Sequence, residues 1–239
     1  MEAPEIAART IPGQFMMVGY GSEGYAVPFL PRPNSVAATI DGSVGLLIRI
    51  FGEGSRRLAQ LDAGDSVLLL GPLGVGFDLG QAPRKVLCVA GGVGLAPFIL
   101  LPRWAREALP DAEVHVLYGE RDAAAVFDAG KLRELTGIDA EIWTEDGSLG
   151  RKGRITDGLE LGDIDLVLAC GPTPMLKAVR ELALDSGTAC QLAVEEHMAC
   201  GMGTCIGCIV ETVDPTTGEQ RYARACIEGP VFRAEQLPW

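Results

Sequence analysis

The sequence predicts an antiparallel β barrel, then a parallel-sheet α/β unit, then a small cysteine-rich module at the C-terminus. Three observations carry this expectation. Up to residue 80 the chain offers short apolar or alternating runs, separated by Gly-, Pro- and Asp-bearing turns with little helix. From Pro83 onward, apolar runs alternate with helical stretches, the rhythm of parallel strands joined by crossovers. Four of the seven cysteines, Cys200, Cys205, Cys208 and Cys226, crowd into the last forty residues.

In the first unit, residues 1–82, strands are expected at Gln14–Val18, Val36–Ile40, Gly45–Phe51 and Ser66–Leu70. Turns fall at Asp41-Gly42 and Ala63-Gly64-Asp65, and Ser55–Leu61 reads as one short helix. The second unit, residues 83–188, opens on the continuous apolar run Val86–Ala90, which suits a strand buried on both faces. A glycine turn and a helix over Ala96–Leu109 follow. Further strands are expected at Glu113–Tyr118, Glu141–Thr144 and Leu166–Ala169, with Lys131–Thr136 in a helix. Thr173 reads as an N-cap with Pro174 in the first helical position, opening the helix Met175–Leu184. The boundary between these units falls at Gly80-Gln81-Ala82-Pro83. The third unit, residues 189–239, carries a hairpin signal at Asp214-Pro215-Thr216-Thr217-Gly218, between Ile209–Val213 and Arg221–Ala223.

Composition removes several function classes. The 239 residues carry 20 basic against 32 acidic side chains, a net charge of −12. With no basic stripe, neither nucleic acid nor an anionic membrane is an expected partner. An aromatic share of 6% argues against a stacking platform for single strands. The N-terminus Met1-Glu2-Ala3-Pro4-Glu5 places acid where a secretory signal would place Lys or Arg. Val86–Pro102 is 17 residues without a charge, but its glycines and prolines fit a strand, a turn and a helix start better than a membrane span. An odd cysteine count without a signal points to metal or redox chemistry in a reducing compartment, hence to the cytoplasm.

The cysteine spacing is specific. Cys200-x4-Cys205-x2-Cys208, then seventeen residues, then Cys226, is the plant-type 2Fe–2S spacing. A tight loop can wrap a small cluster with three thiolates while a distant element closes the fourth position. Gly201, Gly203 and Gly207 let that loop turn with positive φ and aim N–H groups at sulfur. A zinc site of the same four thiolates is the alternative, although zinc ribbons pair two C-x2-C knuckles and here one pair has that spacing. His197 and His115 are the two histidines, and neither is expected to ligate a metal that four cysteines can hold.

Two other segments suggest phosphate contacts. Gly91-Gly92-Val93-Gly94-Leu95-Ala96-Pro97 follows a buried strand and opens a helix, the arrangement that brings backbone N–H groups to a phosphate. Arg32-Pro33-Asn34-Ser35 puts a cation and a hydroxyl at a strand end. Cys88 and Cys190 read as buried packing residues. Trp104, Trp143 and Trp239 read as packing residues too.

The order of Pro12-Gly13-Gln14-Phe15, Arg32-Pro33-x-Ser35, Gly71-Pro72-Leu73-Gly74, Gly91–Pro97 and Cys170-Gly171-Pro172 resembles the ferredoxin–NADP reductase superfamily over nearly the whole chain. Glu195-Glu196-x-Met198-Ala199-Cys200-Gly201-x-Gly203-x-Cys205 narrows the resemblance to the electron-transfer subunits of dihydroorotate dehydrogenase B. Thr144–Gly150 and Ala169–Lys177 are similar to those subunits as well. The resemblance implies an FAD-binding barrel, an NAD-binding α/β domain and a 2Fe–2S module. Arg32, Pro33, Asn34 and Ser35 would hold the flavin and its pyrophosphate, Leu47, Ile48 and Arg49 a second flavin-contacting strand, and Gly54-Ser55 the FAD phosphates. Gly91, Gly92 and Gly94 would face the NAD phosphates, Gly171 and Pro172 would lie by the nicotinamide, and Cys170 would have an active-site role. Cys200, Cys205, Cys208 and Cys226 would bind the cluster. Ser55 stands where the family has Thr, and eleven residues before Pro12 leave the barrel short of an edge strand.

The implied partner is an FMN-containing catalytic subunit that oxidises dihydroorotate to orotate, two of each chain together, with NAD(H) at the other end of the route. Gly119-Glu120-Arg121-Asp122 flanks its one Arg with acids, which favours NAD over NADP. Two other readings stay open. One is the small subunit of an NADH-dependent ferredoxin:NADP oxidoreductase or of a sulfide dehydrogenase, where a carboxylate is expected in the place of Cys200. The other is a zinc-stabilised binding module without redox function.

Overall fold

A computed structural model of the chain describes residues 1–20, 30–80 and 82–239, so Gln81 of the expected boundary lies outside the described residues. Helix α1 (Pro4–Ala7) precedes β1 (Phe15–Tyr20), β2 (Arg32–Ile40), β3 (Ser43–Leu46), α2 (Glu53–Leu58) and β4 (Val67–Leu73). These strands form an antiparallel sheet in the order β3-β2-β1-β4, half of a barrel among the described residues. The β2–β3 turn has positive φ at both Asp41 (+48°) and Gly42 (+76°), the backbone twist a two-residue hairpin needs. Phe15, Met16, Met17 and Val18 are all buried because both faces of β1 are covered. Alternation along the strand sends Met16 and Val18 into a core with Val36, Val44 and Leu100. Phe15 and Met17 join a different core that includes Cys208, Val210 and Cys226.

The expected strand Gly45–Phe51 is shorter than the sequence suggests. Pairing stops at Leu46. Beyond it the chain leaves the sheet, because Leu47 packs into the core of the α/β unit and Arg49 pairs with Glu120.

The α/β unit runs β5 (Lys85–Gly91), a 3₁₀ turn over Gly92–Leu95, α3 (Ala96–Ala108), β6 (Glu113–Glu120), α4 (Ala129–Thr136), β7 (Glu141–Thr144), β8 (Arg151–Lys152), β9 (Leu166–Cys170), α5 (Thr173–Ser186) and β10 (Ala189–Ala193). Then come β11 (Ile209–Val213), β12 (Gln220–Arg224) and β13 (Val231–Arg233). One seven-stranded sheet has the order β13-β10-β9-β5-β6-β7-β8, parallel except for the β10–β13 pair. β11 and β12 pair only with each other among the described residues.

The continuous apolar runs of β5 and β9 follow from burial on both faces. Leu87, Val89, Val167 and Ala169 point to the core that holds Leu176 and Val179 of α5. Val86, Cys88, Ala90, Leu166 and Leu168 point to the core that holds Phe98 and Leu101 of α3. The uncharged stretch Val86–Pro102 is thus a strand, a turn and half a helix, and no helix among the described residues is long and apolar enough to cross a membrane.

The start of α5 differs by one residue from expectation. Pro172 is the cap and Thr173 the first helical residue, with no side-chain capping bond. Pro172 is already extended (φ −58°, ψ 143°), and its carbonyl accepts the N–H groups of Met175 and Leu176 at 2.9 and 3.1 Å.

Candidate functional site

The order of the parallel strands makes a crevice. From β5 the chain adds β6, β7 and β8 on one side, then returns to add β9 and β10 on the other. Beyond the carboxyl ends of β5 and β9 the strand order reverses, which is where open α/β sheets bind ligands. Gly91, Gly92 and Gly94 end the first of these strands, and Cys170, Gly171 and Pro172 end the second. The two ends are nearly in contact. A side chain on Gly94 would collide with the Cys170 carbonyl and come within 2.8 Å of Gly171 N. One on Gly91 would stand 2.7 Å from Met175 Sδ. Glycine is therefore required by the packing of β5 on β9, and the same bare backbone offers a cradle for a phosphate at the start of α3. Cys170 is buried, and burial together with the Glu195 charge pushes its thiol well above the ordinary cysteine range. It stays protonated at neutral pH, so it is a packing and contact group rather than a thiolate nucleophile.

The second segment lies on the antiparallel sheet. Arg32, Pro33, Asn34 and Ser35 occupy the start of β2, opposite Val18, Met17, Met16 and Phe15 of β1. The Arg32 side chain lies across Gly54, so closely that a side chain there would overlap its guanidinium. Tyr20 donates its hydroxyl to the Gly54 carbonyl, and Ser55 Oγ accepts the N–H groups of Phe51 and Gly52 at 3.0 and 3.1 Å. Arg32 and Gly54-Ser55, distant in sequence, thus share one surface. Arg49 sits at the join of the two regions. Its guanidinium pairs with Glu120, and a side chain on Gly92 would stand 3.2 Å from Nη2. Leu47 turns inward instead and packs in the α/β core.

The third segment is the cysteine loop. Cys200 is half-buried, Cys205 exposed, and Cys208 and Cys226 buried. The N–H groups of Met202 and Cys205 point at Cys200 Sγ at 3.4 and 3.5 Å. These bonds, the one from Cys205 first, bring the Cys200 thiol down to about 6. Burial and the Cys208 thiol push Cys226 up to about 11. The Ala225 N–H donates to the Cys208 carbonyl at 2.8 Å, tying the loop to the element that carries the fourth cysteine. Gly201 (φ +71°) and Gly203 (φ +80°) take the left-handed turns expected of them. Gly207 does not; Ile206 takes that conformation in its place (φ +58°), a costly one for a β-branched residue. Among the described residues no three metal-binding side chains are grouped closely enough to hold a metal ion as they stand. Four thiols, N–H groups aimed at sulfur and a glycine-turned loop are nonetheless the donor chemistry an iron–sulfur cluster uses. His197 is exposed, and His115 lies beside Glu113 at 3.7 Å.

The cysteine loop rests on the antiparallel sheet. A side chain on Gly201 would overlap Met17 of β1 and approach Leu73 Cδ1 of β4 to 3.1 Å. Arg49 thus lies against the glycine turn of the first segment, and the cysteine loop lies against Met17, which pairs with Pro33 of the second. Glu120 and Tyr118, which hold Arg49, were not singled out by sequence reasoning as a buried pair. Their signal was an acid ending the apolar run Val114–Tyr118, where a strand end would otherwise turn polar into solvent.

A model of the iron–sulfur cluster binding domain of dihydroorotate dehydrogenase B matches residues 195–238. The chain is 36% identical over 229 residues to the electron transfer subunit of dihydroorotate dehydrogenase B (NAD(+)) from Caldanaerobacter subterraneus, covering 95% of this chain and 86% of that one. It is 37% identical over 239 residues to the corresponding subunit from Geobacillus thermodenitrificans, covering 97% and 88%. Among solved structures, an NADH-dependent reduced ferredoxin–NADP oxidoreductase described for flavin-based electron bifurcation superposes with a TM-score of 0.82 at 27% identity, over 100% of this chain and 83% of that one. A ferredoxin–NADP⁺ reductase from Neisseria gonorrhoeae with bound FAD and NADP shares the fold at a TM-score of 0.59 and 21% identity, over 75% and 80%. The fold is that of the ferredoxin–NADP reductases, and the chain belongs to the family of dihydroorotate dehydrogenase B electron-transfer subunits.

Proposed function

We propose that this chain moves electrons between NAD(H) and a catalytic FMN subunit, through FAD and a 2Fe–2S cluster, in the oxidation of dihydroorotate to orotate. The observation that supports this reading best is the packing of Arg49 over the glycine turn at Gly92 and of the cysteine loop, at Gly201, on the antiparallel sheet. When bound, a flavin would supply hydride exchange with NAD and one-electron exchange with a cluster, chemistry that belongs to the cofactors themselves. The chain's own residues bind and orient. Arg32, with Pro33, Asn34 and Ser35 on β2, meets the flavin and its pyrophosphate beside Gly54-Ser55. Ile48 and Arg49 border the same flavin, while Leu47 anchors their segment in the α/β core. Gly91, Gly92 and Gly94 admit the NAD phosphates, Gly171 and Pro172 border the nicotinamide, and the protonated thiol of Cys170 packs behind it. Cys200, Cys205, Cys208 and Cys226 hold the cluster.

The division into residues 1–82, 83–188 and 189–239 assigns one cofactor to each part. Strands β10 and β13 from the last part extend the sheet of the second, which fixes cluster and dinucleotide sites in one framework. For the partner, Met202 and Ile206 on the cluster loop are exposed, as is Ile227, which lies beside Gly203 of that loop. An apolar surface of that kind at the cluster edge suits a docked catalytic subunit, and we assign it to that subunit, two of each chain together. The NADH-dependent ferredoxin:NADP oxidoreductase reading has the fold similarity in its favour. Cys200 and the 36–37% identity to the dihydroorotate dehydrogenase B subunits outweigh it. The test is an anaerobic titration of the loaded chain with NADH. Bleaching of the flavin followed by an EPR-active reduced cluster is expected; stoichiometric zinc without acid-labile sulfide would overturn the reading.

A further inference from the structure

Glu120 is a charged residue that the proposed chemistry does not use, yet its side chain is only 3% exposed. It ends β6 one position beyond Gly119, which pairs with Gly91 of β5, so it stands beside the glycine turn. Its carboxylate pairs with the Arg49 guanidinium, which is 45% exposed. The carboxylate is itself held: the buried Tyr118 hydroxyl donates to Oε1 at 3.2 Å while accepting the Phe127 N–H at 3.1 Å. A chain of bonds therefore runs from the α/β backbone through Tyr118 and Glu120 to Arg49, and ends above Gly92. A second carboxylate, Glu195, also feels the Arg49 charge.

An arginine this exposed would ordinarily sample many rotamers. Here Glu120 takes Nη2, and the guanidinium lies over Gly92 with much of the side chain still exposed. A guanidinium fork is suited to a phosphate only when it is held in register. The geometry points to Glu120 as a positioning residue for the dinucleotide: it fixes Arg49 between the flavin segment and the glycine turn, so that the free side of the fork meets a phosphate of NAD(H). This rests on the function proposed above.

Two measurements test it, one without any cofactor. In flavin-free protein, the Arg49 guanidinium N–H signals, identified by their loss in Arg49→Lys, should exchange slowly with water in the parent chain. In Glu120→Ala they should exchange fast. In the loaded chain, Glu120→Ala should raise KM for NADH about three- to tenfold, the scale of immobilising one long side chain, with kcat within about twofold. Glu120→Gln, which keeps the acceptor oxygen, should restore most of the affinity. In an Arg49→Lys background, Glu120→Ala should add no further rise, as required if it acts through Arg49. An unchanged KM, a lower KM, or an equal rise in both backgrounds would overturn the assignment. Failure of the function reading would show separately, as a parent chain whose flavin NADH does not reduce.

Discussion

Arg32 and Gly54 illustrate how single residues build the flavin surface. The guanidinium needs the space a Cβ at Gly54 would take. Arg32→Ala removes a charge-assisted contact worth about 1.5–3 kcal/mol. Flavin affinity should then fall by roughly one to two orders of magnitude, measured as flavin retained after dialysis. Gly54→Ala should produce a loss of the same direction by displacing Arg32, with the fold intact by circular dichroism. Retention of flavin by both variants would remove these residues from the site. The cysteines are tested separately. Purified anaerobically, the chain should carry about two irons and two sulfides on the plant-type ligation, and Cys205→Ser should lose them. Cys205 is the exposed thiol of the four, so its replacement disturbs packing least.

At the scale of elements, the turn between β5 and α3 is tightly constrained. Gly94→Ala would force the turn away from the backbone at Cys170 and Gly171. Overpacking of this kind costs about 1–3 kcal/mol, a drop in Tm of several degrees for a chain of this size, roughly 2–4 °C per kcal/mol. NADH binding should weaken with it. The end of β6 decides the nucleotide: Arg121 lies between Glu120 and Asp122, with no second cation beside it in the sequence. A higher kcat/KM for NADH than for NADPH is expected, and the reverse order would contradict this.

These elements were legible in the sequence where burial on both faces or a turn residue left a plain mark. Val86–Ala90, Glu141–Thr144 and the Ile209–Val213 hairpin strand lie within a residue or two of their structural bounds. The two-residue β8 and the short β13 left no such mark, because they are added to a sheet that already exists and need little pattern of their own. The same holds for Leu47–Ile50, whose path is set by contacts in another unit rather than by its own alternation. Pairings across the molecule, Arg49 with Glu120 and Gly201 on Met17, are tertiary facts that spacing could not supply. The segments proposed for phosphate, flavin and cluster stand out in the sequence because each depends on local backbone geometry.

For the whole molecule, the function proposed above gives this chain the cofactors and gives the substrate to a partner. No base or acid for dihydroorotate oxidation was found in the sequence, and the net charge of −12 gives no reason for an anionic substrate to be drawn in. The chain is an electron transfer subunit, and the proposed route runs from the glycine turn to the cysteine loop. The loaded chain alone should therefore pass electrons from NADH to artificial acceptors. The most direct measurement is a steady-state assay of NAD⁺-linked dihydroorotate oxidation by the isolated chain and by the chain mixed with an FMN-containing catalytic subunit from the same source. No turnover alone, turnover with the subunit, and its loss in Cys205→Ser is the predicted result. Turnover by the chain alone, or none with the subunit, would contradict the account.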